Sequence, residues 1–189
     1  MRAVVVDLPE WELEERRRKG LDVFDEVWDG VLHMAPQPSS EHQGVGARLV
    51  ATLLPLAEAR GLRAFYETSL FRPGAGGNDY RVPDLVFVRP ENVVEPGVEG
   101  SVELAVEILS PNDETYDKLD FYALVGVQEL LIIEPRTRRV ELFVLRGGRL
   151  HAALPHPDGS VTAASLGVSL STVEGPALRL EWPDGASTL

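Results

Sequence analysis

Three short, largely apolar runs limit this chain to folds that contain a sheet buried on both of its faces. The runs are DLVFV (84–88), VELAVEIL (102–109) and ELLIIE (129–134). The third run has four consecutive apolar residues instead of an alternating pattern, which is typical of a central strand covered on both sides. A helix is predicted between the second and third runs, beginning at Ser110 and Pro111 and ending at Gly126.

The rest of the chain adds two helices and several β-hairpins around this sheet. The predicted elements are a helix over 9–19, a hairpin over 23–34 that turns at Asp29-Gly30, a helix from Ser40 to about residue 60, a strand over 62–72, a hairpin over 138–154 that turns at Gly147-Gly148, and short strands after it. In the helix from Ser40, Ser39 or Ser40 can cap the start, Gly61 can end it, and Pro55 implies a kink or a break. This order predicts a single mixed α/β domain over residues 1–189, with helices flanking the sheet and additional β-hairpins.

The composition excludes several kinds of site. The chain has 189 residues and no cysteine, so disulfides, thiolate metal ligands and cysteine nucleophiles are absent. Its formal net charge of −12 disfavours nucleic-acid binding unless basic residues are clustered, and it favours divalent cations. The N-terminal residues lack the layout of a signal peptide, and no segment is apolar enough for a membrane span. These features predict a cytoplasmic protein.

Two carboxylates fall within the apolar strands. Asp84 begins one strand, and Glu107 lies near the end of the next. If these strands are antiparallel neighbours and residue 84 opposes residue 107, both side chains lie on one face with Cβ atoms about 5 Å apart. Carboxylates that close repel each other, and burial raises the pKa of at least one of them. A hard cation such as Mg²⁺, which one or two carboxylates typically hold, would remove the conflict.

Lys118, in the helix that follows the Glu107 strand, is one of only two lysines in a chain with sixteen arginines. Lysine provides a compact charge that arginine does not, so its position here suggests an ammonium that orients a water or stabilises a developing anion. Structural alternatives exist for all three residues. Asp84 could cap a turn, Glu107 could form a buried ion pair with Arg81, and Lys118 could pair with Glu114 and Asp117 along its helix.

Several motifs in order resemble the Uma-type endonuclease family, within the PD-(D/E)XK restriction-endonuclease-like superfamily. They are DEVWDGVLHMAPQPSSEHQ (25–43), YRVPDLVFV (80–88), ELAVEILSPND (103–113) and DKLDFYALVGVQELLIIEP (117–135). The resemblance implies an αβββαβ core in which Asp84 and Glu107 bind Mg²⁺ or Mn²⁺ and Lys118 completes the site. The chain departs from the superfamily pattern at Leu109, where a lysine is usual, so the catalytic lysine would come from the helix.

The resemblance also draws attention to Glu26, Glu41 and His42. His42 is predicted as a third metal ligand, with a surface or capping role as the alternative, and Glu41 could approach the same ion. Glu26 could be a supporting acid, but an exposed hairpin position is favoured for it. Tyr122 could line the site, although a place in the core is favoured.

Three functions are compatible with these residues. The first is a metal-dependent phosphodiesterase, most plausibly a DNA endonuclease, although only RRRK (16–19) and RTRR (136–139) are basic clusters. These clusters would have to converge on one surface or be brought together in a homodimer, which exposed hairpins make reasonable. The alternatives are a non-catalytic acidic protein-interaction module on a nuclease-derived fold and a metallohydrolase of small metabolites.

Overall fold

The structure is a computed structural model that describes residues 3–5, 9–20, 22–35, 37–75, 77–111 and 114–189. In these residues the α-helices are α1 (Glu10–Arg18), α2 (Ser40–Glu58) and α3 (Leu119–Val125), and 3-10 helices span Pro90–Asn92 and Thr115–Lys118. The strands, in chain order, are β1 (Ala3–Val5), β2 (Glu26–Trp28), β3 (Val31–Met34), β4 (Arg63–Tyr66), β5 (Leu70–Phe71), β6 (Tyr80–Arg81), β7 (Leu85–Val88), β8 (Val93–Val94), β9 (Gly97–Glu99), β10 (Val102–Ile108), β11 (Val127–Ile133), β12 (Val140–Arg146), β13 (Arg149–Ala152), β14 (Val161–Ala163), β15 (Val168–Val173), β16 (Ala177–Trp182) and β17 (Gly185–Thr188).

The strands form a central sheet and two smaller assemblies beside it. The central sheet has the order β13-β12-β11-β10-β7-β4, with β10 parallel to β11 and antiparallel to β7. A second sheet has the order β1-β3-β2-β6-β5-β9-β8, and β14 to β17 form an antiparallel C-terminal sheet. When only the central sheet and its flanking helices are considered, the chain order is α2, β4, β7, β10, α3 and β11, which is αβββαβ. The predicted mixed α/β fold with a restriction-endonuclease-like core is therefore confirmed.

Apolar layers cover the central sheet on both faces, as the unbroken apolar runs require. On one face, Leu49 and Leu53 of α2 pack with Phe87 and Leu104, and this core continues into the C-terminal sheet. On the other face, the core contains Tyr122 of α3 and buried residues of the same central strands. Because α2 and α3 lie on opposite faces, a residue at the edge of this sheet can be reached from both helices.

Helix α2 follows its sequence signals at both ends. The side chain of Ser39 accepts a hydrogen bond from His42 N and caps the start. Pro55 lies inside the helix without ending it, because α2 continues to Glu58. After the last turn, Gly61 adopts a left-handed φ of 71°, and Leu62 N donates to Ala57 O, which closes the helix as a Schellman motif.

Two predicted element boundaries are wrong. The strand predicted over 62–72 is divided: Glu67 has a φ of 49°, and β4 and β5 join different sheets on either side of it. The helix predicted from Ser110 begins only at Thr115, as a 3-10 turn that leads into α3 at Leu119. The remainder of that predicted start, residues 112 and 113, lies outside the described residues.

The predicted hairpin turns are confirmed. Asp29 and Gly30 have φ values of 48° and 85°, and Gly147 and Gly148 have φ values of 57° and 77°. Positive φ at both central residues is the geometry of a type I′ turn, whose twist matches that of paired strands.

No helix in the described part of the chain has the length and apolar character that a bilayer span requires.

We expect opposite results from two alanine substitutions two residues apart in α2. A Cβ at Gly44 meets no atom within 4 Å, so Gly44→Ala should stabilise the protein by about 0.5–1 kcal/mol through helix propensity. A Cβ at Gly46 would lie 2.8 Å from the Tyr66 hydroxyl and 2.9 Å from its ring, so Gly46→Ala should be destabilising. Urea denaturation measures both free energies of unfolding. Equal stabilisation by the two substitutions would contradict this packing.

Candidate functional site

Asp84 and Glu107 come together at the edge of the central sheet that is formed by the ends of its inner strands, and not along an outer strand. Strands β7 and β10 pair antiparallel, with Val106 opposite Leu85, so the next pair outward in this register is Glu107 and Asp84. The backbone N–H of Ile108 donates to Asp84 Oδ2 at 2.6 Å, which fixes the aspartate against the end of β10. The antiparallel neighbours and the register proposed from the sequence are both present.

Lys118 reaches the same edge from the start of α3. Its Nζ donates to Glu107 Oε1 at 2.9 Å and to Glu26 Oε1 at 2.8 Å. All three side chains are buried. Glu107 therefore lies in a buried ion pair, as its structural alternative suggested, but its partner is Lys118 and not Arg81, which pairs with Asp79 at 2.8 Å. Lys118 pairs with Glu26 and Glu107.

Glu26 is not the exposed hairpin residue that the sequence favoured. It is 1% exposed and lies on β2, where its carboxylate has partners on three segments. Oε1 accepts from Lys118 Nζ and, at 3.0 Å, from the backbone N–H of Val82, while Oε2 accepts from Trp28 Nε1 at 2.8 Å. Glu26 therefore connects the N-terminal hairpin to Lys118 and to the segment that leads into Asp84.

An aromatic sandwich holds this hairpin against α3. The guanidinium carbon of Arg81 lies 4.4 Å from the centre of the Trp28 ring and 4.1 Å from that of Phe121. Such cation–π contacts are strongest where water is excluded, and Arg81 is buried. The stack explains how a hairpin outside the αβββαβ core can place a carboxylate within reach of Lys118.

Glu107 is held in an electrostatically unfavourable position. Burial raises the pKa of Glu107 to about 7. The positive charge of Lys118 opposes this rise, and the negative charges of Asp84 and Glu26 add to it. The Tyr122 hydroxyl donates a short hydrogen bond to Glu107 Oε1, the oxygen that also binds Lys118. Tyr122 is part of the core, as favoured from the sequence, and it also contacts the site.

Lys118 remains a cation in this surrounding. Burial alone would lower the pKa of Lys118, but Glu107 and Glu26 overcome that effect and raise it above the usual value. The ammonium has three N–H donors, and its two ion pairs use two of them. The group is therefore suited to donating a hydrogen bond to an anion and unsuited to removing a proton.

His42 approaches the site from α2, on the opposite face of the sheet. Its Nε2 lies 3.2 Å from Asp84 Oδ1. Burial acts to lower the pKa of His42, but the hydrogen bond and charge of Asp84, with the charge of Glu67, raise it. Glu41, next to it in the chain, points away and is nearly half exposed, with Arg138 Nη1 3.7 Å from its Oε1.

The sequence analysis missed a small polar network beside Asp84. The Tyr66 hydroxyl donates to Gln43 Oε1 at 2.9 Å, and Gln43 Nε2 donates to Glu67 Oε1 at 2.8 Å. The backbone N–H of Glu67 donates to Asp84 O at 2.9 Å. Glu67 and Gln43 carry no motif of their own. The only signal in the sequence was position: Glu67 directly follows β4, and Gln43 directly follows His42.

The donors at this edge suit a hard divalent cation in type and charge. Asp84 and Glu107 supply carboxylate oxygens from adjacent strands, and Mg²⁺ commonly takes one or two carboxylates with water in the remaining positions. Within the described ranges, no three histidine, cysteine, aspartate or glutamate side chains are grouped as a ready metal cage.

The comparisons with known proteins agree with the fold and with the family resemblance seen in the sequence. The family model described as "Uma2: Putative restriction endonuclease" matches residues 10–174. A solved structure, "a putative nuclease belonging to DUF820 from Anabaena variabilis ATCC 29413", is similar with a TM-score of 0.60 and 20% identity, covering 75% of this chain and 82% of that one. At that identity the likeness shows the fold alone. No curated protein is significantly similar.

The raised pKa of Glu107 predicts how a glutamine there changes stability with pH. A carboxyl whose pKa is 4.5 in the unfolded chain and about 7 when folded contributes stability below about pH 4.5, and this contribution is lost as pH rises through 7. Glu107→Gln removes this dependence. The Tm of the variant minus the Tm of the parent protein should therefore be larger at about pH 8 than at about pH 5. The change in this difference should be on the order of 5 °C.

Thermal unfolding in the presence of a chelator measures this difference without interference from metal ions. Glu103→Gln is the matched control, since Glu103 lies on the same strand but pairs with the exposed Arg89 at 2.8 Å. A Tm difference for Glu107→Gln that is the same at both pH values would contradict the assigned burial and charge environment.

Proposed function

Because the chain belongs to the Uma2 family of putative restriction endonucleases, we propose that it is a nuclease that hydrolyses phosphodiester bonds with a divalent cation held by Asp84 and Glu107. The observation that carries this proposal is the convergence of two carboxylates and one ammonium at a single sheet edge. Mg²⁺ or Mn²⁺ is the expected ion. When bound, it would supply a Lewis acid for the phosphate and acidify a bound water.

Asp84 and Glu107 have complementary tasks in this proposal. Asp84 is fixed on both sides, by Ile108 N at Oδ2 and by His42 Nε2 at Oδ1, so its carboxylate enters the reaction already oriented. Glu107 has Oε1 bound to Lys118 and Tyr122, which leaves Oε2 as the oxygen without a hydrogen bond among the described residues. A cation near both carboxylates would favour the ionised form of Glu107.

His42, predicted from the sequence as a metal ligand, is better suited to positioning Asp84. Its Nε2 already faces Asp84 Oδ1 at hydrogen-bond distance, so this nitrogen is engaged with the aspartate. We therefore assign it a role through Asp84, with Asp84 and Glu107 as the protein ligands.

Lys118 acts as a fixed ammonium in this proposal. The reaction requires a water to attack phosphorus while the bond to the leaving oxygen breaks, and negative charge grows on the phosphoryl oxygens. The third N–H of Lys118 can donate to such an oxygen, while Glu26 and Glu107 hold the other two. Glu26 contributes indirectly, because it fixes Lys118 and the backbone before Asp84.

We expect Lys118→Ala to lower chelator-sensitive cleavage of plasmid or single-stranded DNA by about 100-fold or more, because the developing charge loses its donor. Lys19→Ala is the matched control: it removes the only other lysine, an exposed one that pairs with Glu15 at 2.9 Å. That variant should cleave at the parental rate in Mg²⁺ or Mn²⁺.

A second variant guards against unfolding, since Lys118→Ala leaves two buried carboxylates without their cation. Asp84→Asn keeps an acceptor for Ile108 N and should also abolish cleavage, with circular dichroism and Tm reporting the fold of both variants. Parental cleavage by folded Lys118→Ala would contradict the assignment. Absence of any metal-dependent cleavage by the parent protein would favour a non-catalytic interaction module on this fold.

A further inference from the structure

The loop between β11 and β12 brings three arginines to the edge of the sheet where the candidate site lies. Strands β10 and β11 are parallel, with Glu107 opposite Ile132, so the chain leaves β11 beside Glu107. Residues 134–139, with the sequence EPRTRR, follow at that edge before β12 begins at Val140. The basic cluster at 136–139 is therefore close to the candidate site through the topology of the sheet.

Hydrogen bonds to Glu134 hold this loop in one conformation. The Glu134 carboxylate accepts from the backbone N–H of Arg136 at 3.1 Å and from the Thr137 hydroxyl at 2.6 Å. The backbone N–H of Glu134 donates to Arg139 O, and that of Arg138 donates to Glu134 O, both at 2.9 Å. Because the backbone of this loop is held by these hydrogen bonds, little backbone ordering is needed when its arginine side chains bind a ligand.

Two of the arginines have incomplete partners. Arg136 Nε and Arg138 Nη1 lie 4.0 Å and 3.7 Å from the carboxylate of Glu41, beyond the distance of a good hydrogen bond. Arg138 is largely buried, and its Nε and Nη1 have no hydrogen-bond acceptor among the described residues. Arg136 is 78% exposed. Two guanidinium groups thus share the single carboxylate of Glu41, the residue that immediately precedes His42 in the chain.

In the other basic cluster, at 16–19, three of the cations have close carboxylate partners. Arg16 binds Asp25 through two nitrogens, with its shortest contact at 2.6 Å. Arg18 and Lys19 both pair with Glu15, at 2.7 Å and 2.9 Å. Arg136 and Arg138 lack carboxylate contacts as short as these.

We propose that the 134–139 loop binds the phosphate backbone of the DNA substrate through Arg136, while Arg138 offsets the negative charge of Glu41 beneath it. This inference rests on the proposed nuclease function, to which it adds the residues that hold the substrate. A phosphodiester oxygen would give the Arg136 guanidinium the close acceptor that Glu41 does not provide. It also explains how a chain with a net charge of −12 can bind a polyanion at this edge.

Fluorescence anisotropy with a short labelled duplex, and with its single strand, tests the loop in a chelator that prevents cleavage. We expect Arg136→Ala to weaken binding about tenfold at low salt and to reduce the slope of log affinity against log salt by about one. Arg136→Lys should keep most of the affinity. Glu41→Gln should strengthen binding, because it removes a carboxylate that competes for both arginines.

Arg179→Ala is the matched control, since Arg179 is exposed on the C-terminal sheet and paired with Glu181 at 2.8 Å. Parental affinity in Arg136→Ala and Glu41→Gln, an equal loss in Arg179→Ala, or no DNA binding by the parent protein would each overturn the inference. The expected binding pattern without metal-dependent cleavage would support the loop and contradict the nuclease. Metal-dependent cleavage and DNA binding that are both unaffected by Arg136→Ala would support the nuclease and contradict the role of the loop.

Discussion

The buried ammonium of Lys118, held between Glu26 and Glu107, is the interaction on which the rest of the site depends. Three ionisable side chains lose most of their hydration here, and the attraction of Lys118 for the two carboxylates must compensate. Removing one partner of such a buried pair typically costs about 3–5 kcal/mol, because the other charge is left without compensation. Burial raises the pKa of Glu107, and the charges of Asp84 and Glu26 add to this effect. The proposed cation would favour the ionised form of Glu107.

The fold delivers this arrangement by bringing distant segments to one end of the central sheet. The parallel pairing of β10 and β11 requires a crossover, and α3 supplies it while carrying Lys118 back over the end of β10. The N-terminal hairpin supplies Glu26 from outside the αβββαβ core, and Arg81 anchors that hairpin between two aromatic rings. The opposite face contributes His42 from α2. The site is therefore sensitive to the packing of α3, the N-terminal hairpin and α2, as well as to the strands that carry Asp84 and Glu107.

The sequence predicted the features that depend on local pattern. The apolar runs of β10 and β11, a helix cap at Ser39 or Ser40 and the turn at Asp29-Gly30 all carry signals that one short segment can express. The position of Asp84 opposite Glu107 followed from assuming an antiparallel pair. The role of Glu26 could not be predicted in this way, because an acid on a polar hairpin looks exposed until the hairpin is docked.

The division of the predicted strand at Glu67 has a tertiary origin, since Glu67 N donates to Asp84 O and the Glu67 carboxylate accepts from Gln43. The most direct test of the account is a calorimetric titration of Mn²⁺ into the parent protein and into Asp84→Asn and Glu107→Gln. We expect the parent protein to bind the ion and each variant to bind it at least about tenfold more weakly. Affinity that is the same in all three proteins would show that these carboxylates do not hold a metal.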